Sequence, residues 1–270
     1  MQNVIKFVVV LFITIGSLSA QNKVYNSKSN FTLSTSLVGM SMDYREYDDA
    51  NLILDSEKSG YSDLNGFELG LDYVFRKTPS SHMRINANLM MLQGSTQYVG
   101  SILGSGNPYG SFLSVTENKL VDYEVSFKHN LMITNALELG YGIGIGHRVW
   151  DRGLSATQLE IYTWNSIRTE LFANYNVTSR LKLGVAYEYQ FGMNTEMSLS
   201  SPSLNFTLGG ADISQISIPV RFAYTNRIDF FAAMTFEKQE IKKSNTVGGF
   251  LEPKSTAKNK FIRVGVDFKF

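Results

Sequence analysis

Charged side chains recur at every second position along segments whose other positions are apolar. They are Glu68 and Asp72, Arg84, Asp122 and Glu124, Glu138, Arg168 and Glu170, Lys182 and Glu188, Arg221, Asp229, and Arg263 and Asp267. Period two on a strand puts such residues on one face, and an apolar opposite face makes that the inner wall of a closed sheet. Rings of one sign line a selective pore. Here both signs are present, so the pattern predicts ion pairs filling an interior, with a narrow hydrophilic channel as the alternative. A buried charge left unpaired is costly, so partners across the interior are expected.

Few other residues offer chemistry. Of the three histidines, His82 and His129 fall at or beside short turns. His147 lies near the far end of a strand on its apolar face, followed by Arg148. No nucleophile, acid or base accompanies them in a known pattern, so no catalytic residue is expected. The run Gly140 to Gly146 has period two and lacks the GxGxxG spacing into a helix. Its glycines read as interior space and freedom for the wall to bend. With no cysteine, disulfides and thiolate metal sites are excluded, and neither a metal nor a cofactor is expected.

The elements that must position these residues are strands. Ten alternating segments are readable: Phe31–Tyr44, Leu64–Arg76, Met83–Tyr98, Lys119–His129, Leu137–Trp150, Glu160–Tyr175, Arg180–Asn194, Asp212–Tyr224, Ile228–Glu237 and Phe261–Phe270. The first has an unresolved facing, because Val38, Met40 and Met42 oppose Phe31, Leu33 and Leu37. Connections alternate between long and short. Arg45–Asp63, Gly100–Asn118, Asp151–Leu159, Thr195–Gly210 and Lys238–Asn259 read as long loops. Such a meander is how transmembrane barrels are built, and the segments reach the ~9–11 residues that cross a bilayer when tilted. A soluble sandwich, with typical strands of ~5–6 residues, fits less well. The fold class is therefore all-β, an antiparallel up-and-down transmembrane β-barrel of about ten strands (eight to twelve). Tyr73, Tyr98, Tyr175 and Tyr224 are expected in interfacial girdles. Pro219, inside the eighth strand, removes a ladder bond and predicts a bulge.

Residues 1–20 read as a cleaved signal peptide, with Lys6, an apolar run from Phe7 to Ile15, and small residues up to Ala20. Residues 21–270 read as a single barrel domain. A net charge of +1, from Lys+Arg 25 and Asp+Glu 24, gives no bulk reason to bind nucleic acid.

The chain ends FIRVGVDFKF. Val264, Val266, Phe268 and the terminal Phe270 resemble the closing signal of Gram-negative outer-membrane proteins. That resemblance implies recognition of Phe268 and Phe270 by the barrel-insertion machinery, residence among outer-membrane lipid and lipopolysaccharide, long loops outside the cell and short turns in the periplasm. The small-residue end of the leader followed by Gln21 resembles exported proteins of the Bacteroidota. Among outer-membrane hydrolases, omptin proteases use Asp and His groups at the outer rim, and lipid-modifying barrels use Ser and His. The expected function is a non-enzymatic structural or interaction role with a largely filled polar lumen, the partner being an extracellular or periplasmic protein. A small diffusion channel comes second and an outer-membrane hydrolase third. Lysines between Lys238 and Lys260 are placed to meet lipopolysaccharide phosphates or an acidic partner.

Overall fold

A computed structural model describes residues 30–101, 108–155 and 157–270. The leader lies outside the described residues. Fourteen strands follow in order: β1 (Phe31–Tyr47), β2 (Ile53–Lys58), β3 (Leu64–Lys77), β4 (Ser81–Gly100), β5 (Phe112–Met132), β6 (Leu137–Gly153), β7 (Leu159–Asn176), β8 (Leu181–Leu199), β9 (Leu204–Thr207), β10 (Ala211–Ala223), β11 (Ile228–Ile241), β12 (Thr246–Val247), β13 (Phe250–Leu251) and β14 (Lys254–Lys269). All the long neighbours pair antiparallel, and β1 pairs with β14 from Thr32↔Lys269 to Tyr47↔Lys254. That last ladder closes a ten-stranded barrel and leaves no free edge. The short β2, β9, β12 and β13 belong to the long-loop end.

The outer wall carries a wide apolar belt. Leu37 (75% exposed), Ile145 (68%) and Leu171 (64%) stand outward with Phe67, Val125, Leu183, Ile218 and Val264. A closed ladder with this belt satisfies nearly all of its backbone groups internally, the gap beside Pro219 excepted, which is what a lipid environment demands. Tyr73, Tyr175 and Tyr224 are exposed at the tight-turn end of the belt, whereas Tyr98 is buried. It shares parity with Met90 and Leu92, and so points into the barrel rather than joining a girdle.

The strands continue well past the belt. β5 has 21 residues and β4 has 20, about twice what a bilayer requires. Much of the sequence expected to be long loops is therefore strand. Beyond the belt the outward positions are polar, among them Asp43, Arg45, Glu117, Lys119, Lys258 and Lys260. The inward positions become a dry core of Val38, Met40, Tyr44, Leu64, Trp150, Tyr162, Trp164, Met197, Ile213 and Phe261. This settles the facing of β1. Leu33 and Leu37 face out toward lipid, and Val38, Met40 and Met42 face in.

Pro219 causes no bulge. The β8–β10 register is the same on both sides of it, Ser217↔Ala186 and Val220↔Leu183, and only the two intervening pairs drop out. Gly184 makes this possible, since a Cβ there would lie 2.9 Å from the proline ring. Register shifts occur instead at Glu46/Tyr47, Val74/Arg76 and Thr163/Asn165.

Candidate functional site

The lumen is stacked in three polar tiers, each positioned by the same parity. At the long-loop end, Arg152 of β6 is the centre. Its guanidinium donates to Glu57 at 2.6 Å, Glu160 at 2.7 Å and Glu46 at 3.0 Å, and to the hydroxyls of Tyr162 at 3.1 Å and Tyr44 at 3.2 Å. The guanidinium carbon also lies 4.3 Å from the Tyr44 ring centre and 5.3 Å from that of Trp150, a cation–π arrangement. A chain of neutral groups extends the tier. The Trp150 indole donates to Asn118, Asn118 donates to Thr96, and the Thr96 hydroxyl donates to Glu57 at 2.6 Å. The segment between β13 and β14 drops Glu252 into the same tier, where the Tyr162 hydroxyl donates to it. Ser244 holds that segment in place by accepting the Glu252 N–H at 2.9 Å.

This tier places four buried carboxylates against one guanidinium. Charge neutrality then favours protons on some of them. Burial, opposed by Arg152 and reinforced by Glu46 and Glu57, raises the Glu160 pKa to about 7. Burial, with Glu46 and Glu160 nearby, pushes Glu252 well above the usual carboxylate range. Asp55, desolvated beside Glu46, rises to about 6. The outward residues at this height are Arg45, Lys119 and Asp151, so the tier stands clear of the apolar belt.

The middle tier crosses the barrel from β5, β6 and β7 to β11. Arg148 donates to Asp122 at 2.8 Å through Nε, to Glu237 at 3.1 Å and to Gln239 at 3.1 Å. Arg168 bridges Asp122 and Glu124, the latter at 3.0 Å, and lies 3.9 Å from Glu188. Beside them Arg263 of β14 holds Glu68 at 2.7 Å and donates to Thr235 at 2.9 Å. Each arginine meets acceptors on more than one strand, the condition under which a buried charge is tolerated.

The lowest tier is looser. Lys128 pairs with Glu170 at 2.5 Å, Arg84 with Asp72 at 3.4 Å, Arg221 with Asp267 at 2.6 Å and Lys269 with Asp229 at 2.5 Å. Glu138 accepts from Asn130 and, at 3.0 Å, from Asn174, and lies 3.6 Å from Lys182. The glycines of β6 give these side chains room. A Cβ at Gly146 would strike the Arg168 guanidinium at 2.4 Å, and one at Gly140 would strike the Phe172 ring at 2.1 Å.

The charged residues singled out in the sequence all lie on the lumen side in these middle and lower tiers. Arg148, Arg152, Glu46, Glu57, Glu160, Glu237 and Glu252 were not singled out, although they organise the upper half. Simple continuation of parity from Gly146 through Arg148 to Arg152, and from Arg168 back to Glu160, points to three of them. The histidines stay apart. His82 is 3.8 Å from Glu138, His129 meets the Tyr141 hydroxyl at 3.0 Å, and His147 meets Asn165 at 2.9 Å on the outer wall beside Tyr123. Among the described residues no cluster of His, Asp or Glu has the geometry to hold a metal ion.

No protein-family model matches the sequence, and no curated protein matches it. Among solved structures, the outer-membrane protease OmpT from Escherichia coli is similar in fold. Its TM-score is 0.57 at 9% identity, over 91% of this chain and 98% of that one. The translocator domain of the autotransporter NalP from Neisseria meningitidis matches with TM-score 0.41 at 9% identity, over 100% and 96% of the two chains. The toluene transporter TbuX from Ralstonia pickettii matches with TM-score 0.37 at 11% identity, over 90% of each chain. At those scores the last two carry no argument. The chain has the fold of an outer-membrane β-barrel.

Proposed function

We propose that the protein is an integral outer-membrane barrel with a closed lumen and a non-enzymatic role, structural or interaction-based, exercised through its ends. The observation that carries this reading is the upper plug. Trp150, Trp164, Tyr44, Tyr162 and Phe261 are at most 2% exposed. Tyr44, Trp150 and Tyr162 surround Arg152, while Trp164 lies against Arg148 and Phe261 against Arg263, in the middle tier where Arg148 reaches across to Glu237. A conducting path would have to open both tiers. The channel reading would be favoured by a ring of one sign along an open bore. Here each arginine is instead locked to carboxylates.

The protease reading draws on the likeness to OmpT in fold. At 9% identity it needs catalytic groups of this chain's own. The outer rim of the barrel holds none of the three histidines, so an Asp–His pair of the omptin kind has no histidine there.

Phe268 and Phe270 stand outward at the foot of β14, and the Phe270 N–H bonds the Phe31 carbonyl at 2.9 Å. That position suits an assembly signal read as the barrel closes. Lys258 and Lys260 project outward just above the belt, where lipopolysaccharide phosphates would lie. An extracellular or periplasmic protein partner would meet the rim or the turns. Single-channel recording in planar bilayers tests the reading. A silent bilayer containing folded, heat-modifiable protein is expected, and stable discrete openings would overturn it.

A further inference from the structure

The middle-tier side chains border a space of about 260 Å³, and below it a cavity of about 290 Å³ lies at the tight-turn end. Its room comes from small side chains. Ala186 of β8 and Pro219 of β10 form one wall, at the point where two rungs of the β8–β10 ladder are missing. The Phe172 ring edge fills the space over Gly140, with the Arg84 guanidinium 5.6 Å from its ring centre.

Four cationic residues line this space: Lys77 of β3, Arg84 of β4, Lys182 of β8 and Arg221 of β10. Lys182 and Arg221 sit directly opposite each other in the ladder, an arrangement of like charges that destabilises a sheet. Carboxylates already stand beside both, Asp267 at 2.6 Å from Arg221 and Glu138 at 3.6 Å from Lys182, and the local acids are shared with other partners. Glu170 is bound to Lys128 at 2.5 Å, and Glu138 already accepts from Asn130 and Asn174. Arg84 touches Asp72 through one nitrogen, and its Nε is buried without an acceptor. Val74 and Phe172 add apolar surface beside the charges.

We propose that this cavity is a binding site for a small organic anion carrying two acidic groups on a short carbon body. Its carboxylate or phosphate oxygens would lie between Lys182 and Arg221 and reach the Arg84 Nε, with the carbon body against Phe172. Such a group would supply the acceptor that the Arg84 Nε lacks and add a second anionic partner between Lys182 and Arg221. The same chemistry is found in a free dicarboxylate and in the acidic end of a peptide. The site lies beneath both closed tiers, so it stands or falls separately from the non-conducting lumen.

Isothermal titration of the folded full-length barrel in nanodiscs tests this, with succinate, succinamide and the dipeptide Ala-Asp as probes. Succinate is expected to bind saturably with a Kd of about 0.1 mM. Neutral succinamide is expected to show no saturable binding. Lys182→Met and Arg84→Met should each weaken succinate about tenfold, Lys182→Arg should restore most of the affinity, and Lys258→Met on the outer wall should change nothing. If Ala-Asp binds tighter than succinate the occupant is a peptide end, and if weaker a free solute; either order supports the site. A thermal shift of the unmutated protein with succinate but not succinamide supports it without relying on any variant. The proposal is overturned if succinate does not bind saturably, if succinamide binds equally well, or if folded Lys182→Met binds like the unmutated protein.

Discussion

At the long-loop end, Arg152 is enclosed by three carboxylates and three aromatic side chains, and it is 1% exposed. At the tight-turn end, Lys182 faces Arg221 across a ladder rung and both border a cavity. Parity places charges inside the barrel at both levels. The difference lies in what can cover them. Strands that run past the membrane, together with the short β2 and β9 and the segment carrying Glu252, bring enough chain to roof the upper tier and expel water. The turns at the other end contain only a few residues each and have nothing to fold inward. On the reading proposed above, loops close one mouth and short turns leave the other open to solutes.

The strongest way to break this contrast is to remove the cation from the closed end. Arg152→Ala leaves Glu46, Glu57 and Glu160 buried together. Truncating one partner of a buried ion pair costs about 3–5 kcal/mol. The midpoint of the heat-modifiable gel shift should fall accordingly. Lys182→Ala, at the half-open end where water screens the loss, should move it by no more than about 1 kcal/mol. Equal shifts would erase the distinction between the two ends.

A smaller effect should follow pH. Burial raises the Glu160 pKa from the ordinary 4.5 to about 7, and shifts Glu252 in the same direction. An acid whose pKa is raised on folding binds more protons folded than unfolded. Its contribution is therefore fully present below the unfolded value and is lost as pH rises through the folded one. The roof should hold most firmly near pH 5 and loosen toward pH 8. Amide exchange of residues 244–253 would report this as faster exchange at pH 8, after correction for intrinsic rates. Glu160→Gln together with Glu252→Gln should flatten the dependence.

The smallest effect concerns the wall of the open end. Pro219→Ala returns an N–H toward the gap beside Gly184. A typical net gain for one hydrogen bond is about 1 kcal/mol, so a slight rise in stability and slower exchange at Gly184 are expected. No change in either would mean that the gap has another cause.

Much of this was legible in the sequence where lipid imposes one consistent sense on the alternation. Leu181 to Met193 reads apolar-out without interruption, and the barrel, its strand count and the lower charges follow from it. The reading fails where the sense inverts. Above the belt the outside meets water and the inside becomes a core. Leu37 faces out while Val38 and Met40 face in, and Lys119 and Asp151 face out while Leu120 and Trp150 face in. Within one strand this looks like broken alternation, and in Asp151–Leu159 it looks like a loop. Arg152 was lost there, as were Glu46 and Glu57 in Arg45–Asp63. Pro219 misled for a different reason. The disruption was absorbed by a glycine on the neighbouring strand, a compensation that no reading of β10 alone reveals.

The absence of cysteine makes the closed lumen directly testable by single introduced thiols. With the folded barrel in liposomes, a membrane-impermeant maleimide is applied from each side in turn. Lys182→Cys should be modified from the tight-turn side only. Ser255→Cys, in the upper plug where the native serine is 2% exposed, should resist modification from both sides. Labelling of Ser255→Cys from the tight-turn side would mean a continuous water path through both arginine tiers and would contradict the account.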